Sequence, residues 1–289
     1  MKADDIELVT RRPVVDGATQ LVGIVGSPIA QVRAPEVWTG LFHFHGLNII
    51  CVPFHMLPEG LPDFFAGARR LRNLAGLIVT IPHKPAAVNL VDGLTERAAL
   101  VRSVNFICIR PDGRWVGDIV DGIGFVENLK AHGVDPRGMR ALLIGTGGVG
   151  TAIAFALAES GVSELFVHDR DTARSDGLAA RLSNLERPVR TGPPDPAGFD
   201  LVVNASPLGM KSDDPMPMDA TRIGAGSVVA DVIVHETELL RRAAALGCRT
   251  IDGTGMMDHQ LAFMAGHMGL GEMDFSAATA RRIAAAARR

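Results

Sequence analysis

The sequence predicts an α/β fold in two domains, each built on an open, mostly parallel sheet, and three observations lead there. Short apolar, β-branched runs alternate with stretches whose apolar residues recur at helical spacing. The alternation breaks near Phe125, passes through a Gly/Pro-rich turn and starts afresh at Arg140. A glycine-rich turn, "GTGGVG" at Gly145–Gly150, stands between a strand of the second set and the helix that follows it.

The first strand is "QLVGIVG", ending at Gly26. Pro35 suits the first turn of a helix through His45, in which Val37, Trp38, Leu41 and Phe42 share a face and Gly46 is the stop. "NIICVPF" is the next strand, "PDFFAGARRLRNL" the next helix and "GLIVTIP" the third strand. Pro82 and Pro85 end that strand, because proline lacks the donor a sheet interior needs. Lys84 therefore sits at a strand exit, the edge of an open α/β sheet where ligands bind. "RSVNFICIR" and "RWVGDIVD" flank a hairpin turn at Pro111, Asp112 and Gly113. "GFVENLKAHGVDPRG" reads as a helix and a turn, and a domain boundary is placed there. Beyond it "RALLIG", "ELFVHD", "FDLVVNAS" and "SVVADVI" are strands, "TAIAFALAES" and "TARSDGLAARL" are helices, and "RTGPPDPAGFD" is a loop. "DGTGMMDHQLAFMAGHMGL" and an Ala/Arg-rich helix close the chain.

The totals exclude several classes of function. With 289 residues, 47% of them hydrophobic, the chain is long enough for two cores. A net charge of −3, with no Lys/Arg cluster interleaved with aromatics, argues against nucleic-acid binding. Cys51, Cys108 and Cys248 lie in apolar contexts without metal-ligand spacing, so buried, reduced thiols and a cytoplasmic location are expected. The leader "MKADDIELVTRR" has no long apolar core and no run approaches the length of a membrane span, so no membrane partner is expected. His43 and His45 do not share a helical face and nothing completes a ligand set, so no metal is expected.

Gly145, Gly147 and Gly150 have the G-x-G-x-x-G spacing, with Thr146, Gly148 and Val149 between them, directly after a strand and at the opening of a helix. Glycine lets the backbone turn tightly and approach a pyrophosphate, while the helix N-terminus offers unpaired amides. The next strand ends in Asp169, about twenty residues on, where a carboxylate accepts from a ribose 2′-hydroxyl and repels a 2′-phosphate. A Rossmann-type dinucleotide-binding domain is therefore expected, with NAD preferred. Arg170 beside that carboxylate keeps NADP as the alternative. Asn204 and Ser206 follow a buried strand at the ligand edge of the same domain and are candidates to line the cofactor cleft.

Taken in order, "GSPIA", "GLNIICVPF", "GLIVTIPHKP", "SVN", "DGIGF", "GTGGVG", "NASPLGM" and "DGTGMMDHQLAF" resemble the shikimate/quinate dehydrogenase family over nearly the full length. The resemblance implies a substrate domain of residues 1–125 plus 251–289, a nucleotide-binding domain of residues 126–250, and a cleft joining them. It implies that Lys84 is the catalytic lysine and Asp121 the aspartate paired with it. By the same resemblance Asn105 and Gln260 are substrate-contacting amides and Thr80 a threonine near the substrate. Hydride leaves a secondary alcohol carbon while its hydroxyl proton goes to a base, a task open to a desolvated lysine. The expected partner is a small cyclic hydroxy acid or related alcohol, bound by a monomer or homodimer.

Departures from the family bear on the substrate. Val32 and Ala34 of "QVRAP" stand where the family has two carboxylate-reading serines. Ile78, Phe106, Ile119 and Val120 replace polar family residues, and "DVIVHETELL" is shorter than its equivalent and lacks its tyrosine. Each substrate hydroxyl left buried and unpaired costs about 1–3 kcal/mol, so a less hydroxylated substrate than shikimate is expected. Arg33 is a candidate replacement clamp for a carboxylate. Two other readings stay open: an NAD-binding sensor without turnover, and a methylene-tetrahydrofolate-type dehydrogenase on a similar scaffold.

Overall fold

The computed structural model describes residues 14–186 and 189–287; the leader "MKADDIELVTRR" lies outside them. The chain divides into two compact units, Met1–Val120 with Leu261–Arg289, and Asp121–Gln260.

In the first unit β1 (Gln20–Gly26), β2 (Ile49–His55) and β3 (Leu74–Val79) are parallel, with β1 in the middle. β1 is covered on both faces, which is why its apolar run is continuous rather than alternating: Val22, Ile24 and Val25 are all buried. β2 is an edge strand and accepts Pro53 without loss of a ladder bond to a further strand. β4 (Gly93–Leu94), β5 (Phe106–Ile109) and β6 (Trp115–Asp118) complete a six-stranded sheet of order β2-β1-β3-β5-β6-β4. β5 runs antiparallel to both β3 and β6, the latter as the hairpin turn at Pro111–Gly113 requires.

Three helices flank these strands: α1 (Ala34–Phe44), α2 (Leu61–Ala68) and α3 (Glu96–Val101). The C-terminal α8 (Leu261–His267) and α9 (Ala277–Ala287) return to the same unit. Trp38, Phe42 and Phe275 form a ring cluster with centroids 5.3–5.9 Å apart, and Gly40 lets α9 approach closely, since a Cβ there would lie 2.9 Å from Ile283 Cγ2. The sequence pattern extends α2 through Leu74, but the helix stops at Ala68. Arg69 and Arg70 continue as a turn, and Leu74 already opens β3. β3 itself ends at Val79, three residues before Pro82.

The second unit carries a parallel sheet of order β12-β11-β10-β7-β8-β9. Its strands are β7 (Arg140–Ile144), β8 (Glu164–His168), β9 (Val189–Thr191), β10 (Leu201–Asn204), β11 (Val228–Asp231) and β12 (Arg249–Ile251). The helices are α4 (Asp121–Ala131), α5 (Gly148–Glu159), α6 (Thr172–Arg181) and α7 (Glu238–Ala245). The order reverses beside β7, which puts the glycine loop at the switch point of a doubly wound sheet. "RTGPPDPAGFD" is not all loop: Arg190 and Thr191 pair with β8. The sequence pattern also missed β12, whose three residues are too few to show a period.

Residues 121–125 and 251–260 belong to this second unit, not to the first as the sequence places them. Small residues are the reason. A Cβ on Gly122 would lie 2.1 Å from Ala152 O of α5, and one on Gly124 would lie 2.4 Å from Met256 O. α4 thus presses its glycine face against both segments.

Candidate active site

Thr80 and Lys84 leave the C-terminal end of β3 on a loop held by backbone bonds. Thr80 N donates to Val25 O at 3.0 Å, His83 N to Thr80 O at 2.9 Å, and Val104 N to Lys84 O at 2.9 Å. The last bond sets the Lys84 backbone beside Asn105. Asn105 is itself fixed three ways: Val79 N donates to its carbonyl at 2.8 Å, its N donates to Asp118 O at 2.9 Å, and its Oδ1 accepts from Val120 N at 3.0 Å. These bonds bring Thr80, Lys84 and Asn105 to one edge of the first sheet. The side-chain oxygen of Asn105 braces the strand that leads to Asp121.

Asp121 opens α4 in the second unit, and Gln260 Nε2 donates to its Oδ1 at 3.3 Å in a buried setting. The fit between them depends on Gly124, where a Cβ would lie 2.5 Å from Gln260 Cγ.

Gly145–Gly150 form the turn from β7 into α5. Gly145 has φ +98°, a conformation that side chains resist, and a Cβ on it would strike the backbone of Ala205 and Ser206 at 2.7–2.9 Å. A Cβ on Gly150 would lie 1.9 Å from Gly145 O, so the helix can begin this close to the strand only with glycine there. Gly147 is different: nothing lies within 4 Å of its missing Cβ, which leaves a backbone cradle open above the helix N-terminus. That cradle fits the pyrophosphate of a dinucleotide.

Asp169 follows β8 and turns toward the loop. Its Oδ2 accepts from Thr146 N at 2.7 Å and Thr146 Oγ1 at 2.9 Å, and its Oδ1 accepts from Asp171 N at 3.0 Å. Partial burial opposes ionisation, but these hydrogen bonds outweigh it and hold the carboxyl below its ordinary value. Arg170 is exposed. Asn204 and Ser206 are spent on their own loop: Asn204 Oδ1 accepts from Ser206 Oγ at 2.6 Å, while its Nδ2 donates to Leu208 O and to both oxygens of Asp231 at 3.0–3.1 Å. They shape the ligand edge through its backbone.

Two carboxylates central to this framework escaped the sequence reading. Asp118, at the end of β6, accepts from Thr95 Oγ1 at 2.6 Å, Arg97 Nε at 2.7 Å and His267 Nε2 at 2.9 Å, with a further close contact to the second Arg97 nitrogen. Burial opposes its ionisation, yet the bonds from His267, Arg97 and Thr95 hold it well below the usual carboxylate range. The signal for it was a carboxylate between apolar neighbours, Trp115, Val116, Ile119 and Val120, in "RWVGDIVD". Asp231, at the end of β11, accepts from Asn204, Ile233 N and Thr237 Oγ1, and burial nevertheless pushes its carboxyl up.

The apolar replacements divide. Ile78 stands opposite Phe106 in the β3–β5 register, and both are buried, as are Ile119 and Val120. These four pack into the core. Val32 is half-buried, Ala34 is buried in the first turn of α1, and Arg33 is exposed at its N-cap position. Burial pushes the Cys51 thiol up to about 12, as for an inert core thiol. Among the described residues no group of His, Cys, Asp and Glu could hold a metal, and no helix is long and apolar enough to cross a membrane.

A doubly wound second unit with a glycine cradle, in one chain with an α/β unit bearing a lysine at a strand exit, defines a nicotinamide-nucleotide-dependent oxidoreductase. Residues 24–107 match the shikimate dehydrogenase substrate-binding domain. The chain is 36% identical over 258 residues to the shikimate dehydrogenase (NADP(+)) of Rubrobacter xylanophilus, covering 86% of this chain and 90% of that one. It therefore belongs to the shikimate/quinate dehydrogenase family and is an NAD(P)-dependent oxidoreductase of that type. The shikimate 5-dehydrogenase of Listeria monocytogenes, solved with shikimate and NAD, superposes with a TM-score of 0.86 at 26% identity, covering 95% of this chain and 99% of that one. The ligand-free 5-ketofructose reductase of a Gluconobacter strain superposes with a TM-score of 0.81 at 28% identity, covering 92% and 97%.

Proposed function

We propose that this chain carries out reversible hydride transfer between NAD(P) and a ring secondary alcohol or ketone of a cyclic hydroxy acid, with Lys84 as the general base. The observation that carries this is the bonded placement of the Lys84 loop beside Asn105 at the exit of β3. A nicotinamide dinucleotide held at the Gly145–Gly150 turn would supply the hydride chemistry. Lys84 takes the hydroxyl proton on oxidation and gives it back on reduction. Asp121, held by Gln260, supplies the carboxylate that the family uses in the same step, and Thr80, Asn105 and Gln260 supply polar contacts to the substrate. Gly145–Gly150 would hold the dinucleotide's pyrophosphate.

The substrate is less polar than shikimate, a reading that rests on Val32 and Ala34 rather than on the core-packed Ile78, Phe106, Ile119 and Val120. The structurally similar 5-ketofructose reductase is named for a sugar without a carboxylate, in keeping with the apolar residues Val32 and Ala34. Arg33 is the cation available to a substrate that does carry a carboxylate.

Two observations pull the cofactor preference in opposite directions. The ionised Asp169 supports NAD, because it repels a 2′-phosphate, whereas the curated relatives are named for NADP(+). NAD is the preference proposed here on the charge argument. Initial rates with shikimate and quinate, each with NAD and NADP, alongside Lys84→Ala, test the whole reading. Activity lost with the lysine supports it. Activity that persists in Lys84→Ala removes the lysine from the chemistry, and cofactor binding without turnover of any cyclic alcohol favours the sensor.

A further inference from the structure

We propose that His83 is the positioning residue for Lys84, acting through a hydrogen bond from its ring to the carbonyl of Met56; this rests on the reading of Lys84 as the base. His83 is only 1% exposed, and its Nε2 lies 2.7 Å from Met56 O. A carbonyl only accepts, so the ring carries its proton on Nε2. The Met56 backbone is anchored in turn, because Met56 N donates to Gly26 O at 3.1 Å at the end of β1. The imidazole therefore spans from the lysine loop to the exits of β1 and β2.

The span matters because Pro82 and Pro85 deprive this loop of ladder donors on both sides of the lysine. Among the described side chains of the loop, the ring of His83 makes a tie to a different loop of the same sheet edge. Without the donor, the half-buried Met56 carbonyl loses this partner, and the loop is left with its backbone bonds, Ser27 N to Ile81 O at 2.9 Å and Val104 N to Lys84 O at 2.9 Å, so the turn at His83 and Lys84 gains freedom to shift. A displacement of about 1 Å at a reacting group is enough to cost on the order of 100-fold in rate.

Bond counting supplies the test. Glutamine places its amide nitrogen as many bonds from Cα as His83 places Nε2, whereas asparagine falls one bond short. His83→Gln is expected to keep kcat within about fivefold of the parent, and His83→Asn to lower it by about 10- to 100-fold with the KM for NAD(P) unchanged. A second readout needs no turnover. The chain has four lysines, Lys2, Lys84, Lys130 and Lys211, so reductive 13C-methylation gives a spectrum in which Lys84 is assigned by its loss in Lys84→Arg. Its signal should stay displaced from those of exposed lysines in the parent and in His83→Gln, and collapse toward them in His83→Asn.

Equal behaviour of the two variants, whether both intact or both impaired, overturns the inference. If His83→Asn does not fold, His83→Gln alone decides: a parent-like Lys84 signal sustains the inference and a collapsed one ends it. Lys84→Ala run in parallel separates the two failures. Full activity in Lys84→Ala removes the base, whereas an inactive Lys84→Ala with parent-like His83→Asn removes only the role of His83.

Discussion

Thr146 donates to one oxygen of Asp169 twice, from its backbone N at 2.7 Å and its hydroxyl at 2.9 Å. The glycine loop and the end of β8 are thereby joined, and the carboxylate stays ionised where an adenosine ribose would lie against a Rossmann sheet. Asp169→Asn removes that charge while keeping an acceptor for Thr146. The ratio of kcat/KM for NADP to that for NAD should rise about tenfold, equivalent to about 1.4 kcal/mol. An unchanged ratio would mean that Asp169 does not discriminate between the two cofactors.

Two glycines of the same loop should separate binding from folding. Gly147→Ala meets no protein atom within 4 Å, so its melting temperature should match the parent while the KM for the cofactor rises, about tenfold for a loss of about 1.4 kcal/mol. Gly150→Ala must displace the carbonyl of Gly145, 1.9 Å from the new Cβ, so it should lower both thermal stability and cofactor affinity. Thermal melts with and without NAD(P) check both. A destabilised Gly147→Ala would contradict the open cradle.

Asp118 predicts an acid-sensitive first unit. Its folded value is depressed, so its contribution is present above the ordinary aspartate value of about 4 and is lost as pH falls toward the folded value. Asp118→Asn leaves Arg97 and His267 without their carboxylate, at a cost of about 3 kcal/mol near neutrality. The difference in melting temperature between parent and variant should therefore hold from pH 7 to about 4 and narrow as pH falls below that. A constant difference would locate the loss in packing instead of charge.

Asp231 carries the opposite sign. Burial raises its folded value, so stability is greatest below the ordinary aspartate value and declines as pH rises through it toward the raised one. Asp231→Asn cannot ionise, and the stability difference between parent and variant should shift in the variant's favour with rising pH. Asp231→Ala is harsher, leaving Thr237 Oγ1 and Ile233 N without their acceptor and Asn204 Nδ2 with Leu208 O alone, at about 2 kcal/mol. It should also weaken cofactor binding by loosening the loop after β10. Melts across pH and a cofactor titration check both variants.

Much of the frame was legible in the residues. β1, α1, β2 and the hairpin around Pro111–Gly113 announce themselves through apolar period and turn chemistry, both local properties. The end of α2 at Ala68 did not, because Arg69–Asn73 carry no strong breaker and the stop is set by the start of β3 at Leu74. The place of Lys84 at a strand exit and the turn at Gly145–Gly150 were legible from flanking prolines and glycine spacing. The same sequence could not say that Asn204 and Ser206 bond to each other, or that Ile78 and Phe106 are cross-strand core partners.

By itself, then, the sequence determined the alternation of strands and helices, the glycine turn that only Gly145 and Gly150 can make, and the strand exit that presents Lys84. Those features follow from backbone donors, dihedral freedom and side-chain period, all written in neighbouring residues. Only the tertiary structure decided that Asp118 draws in Thr95, Arg97 and His267, that His83 reaches Met56, and that the 251–260 segment packs against the glycine face of α4. Each of those joins residues far apart in the chain, and a buried polar group finds its partners only once folding has removed the competing water.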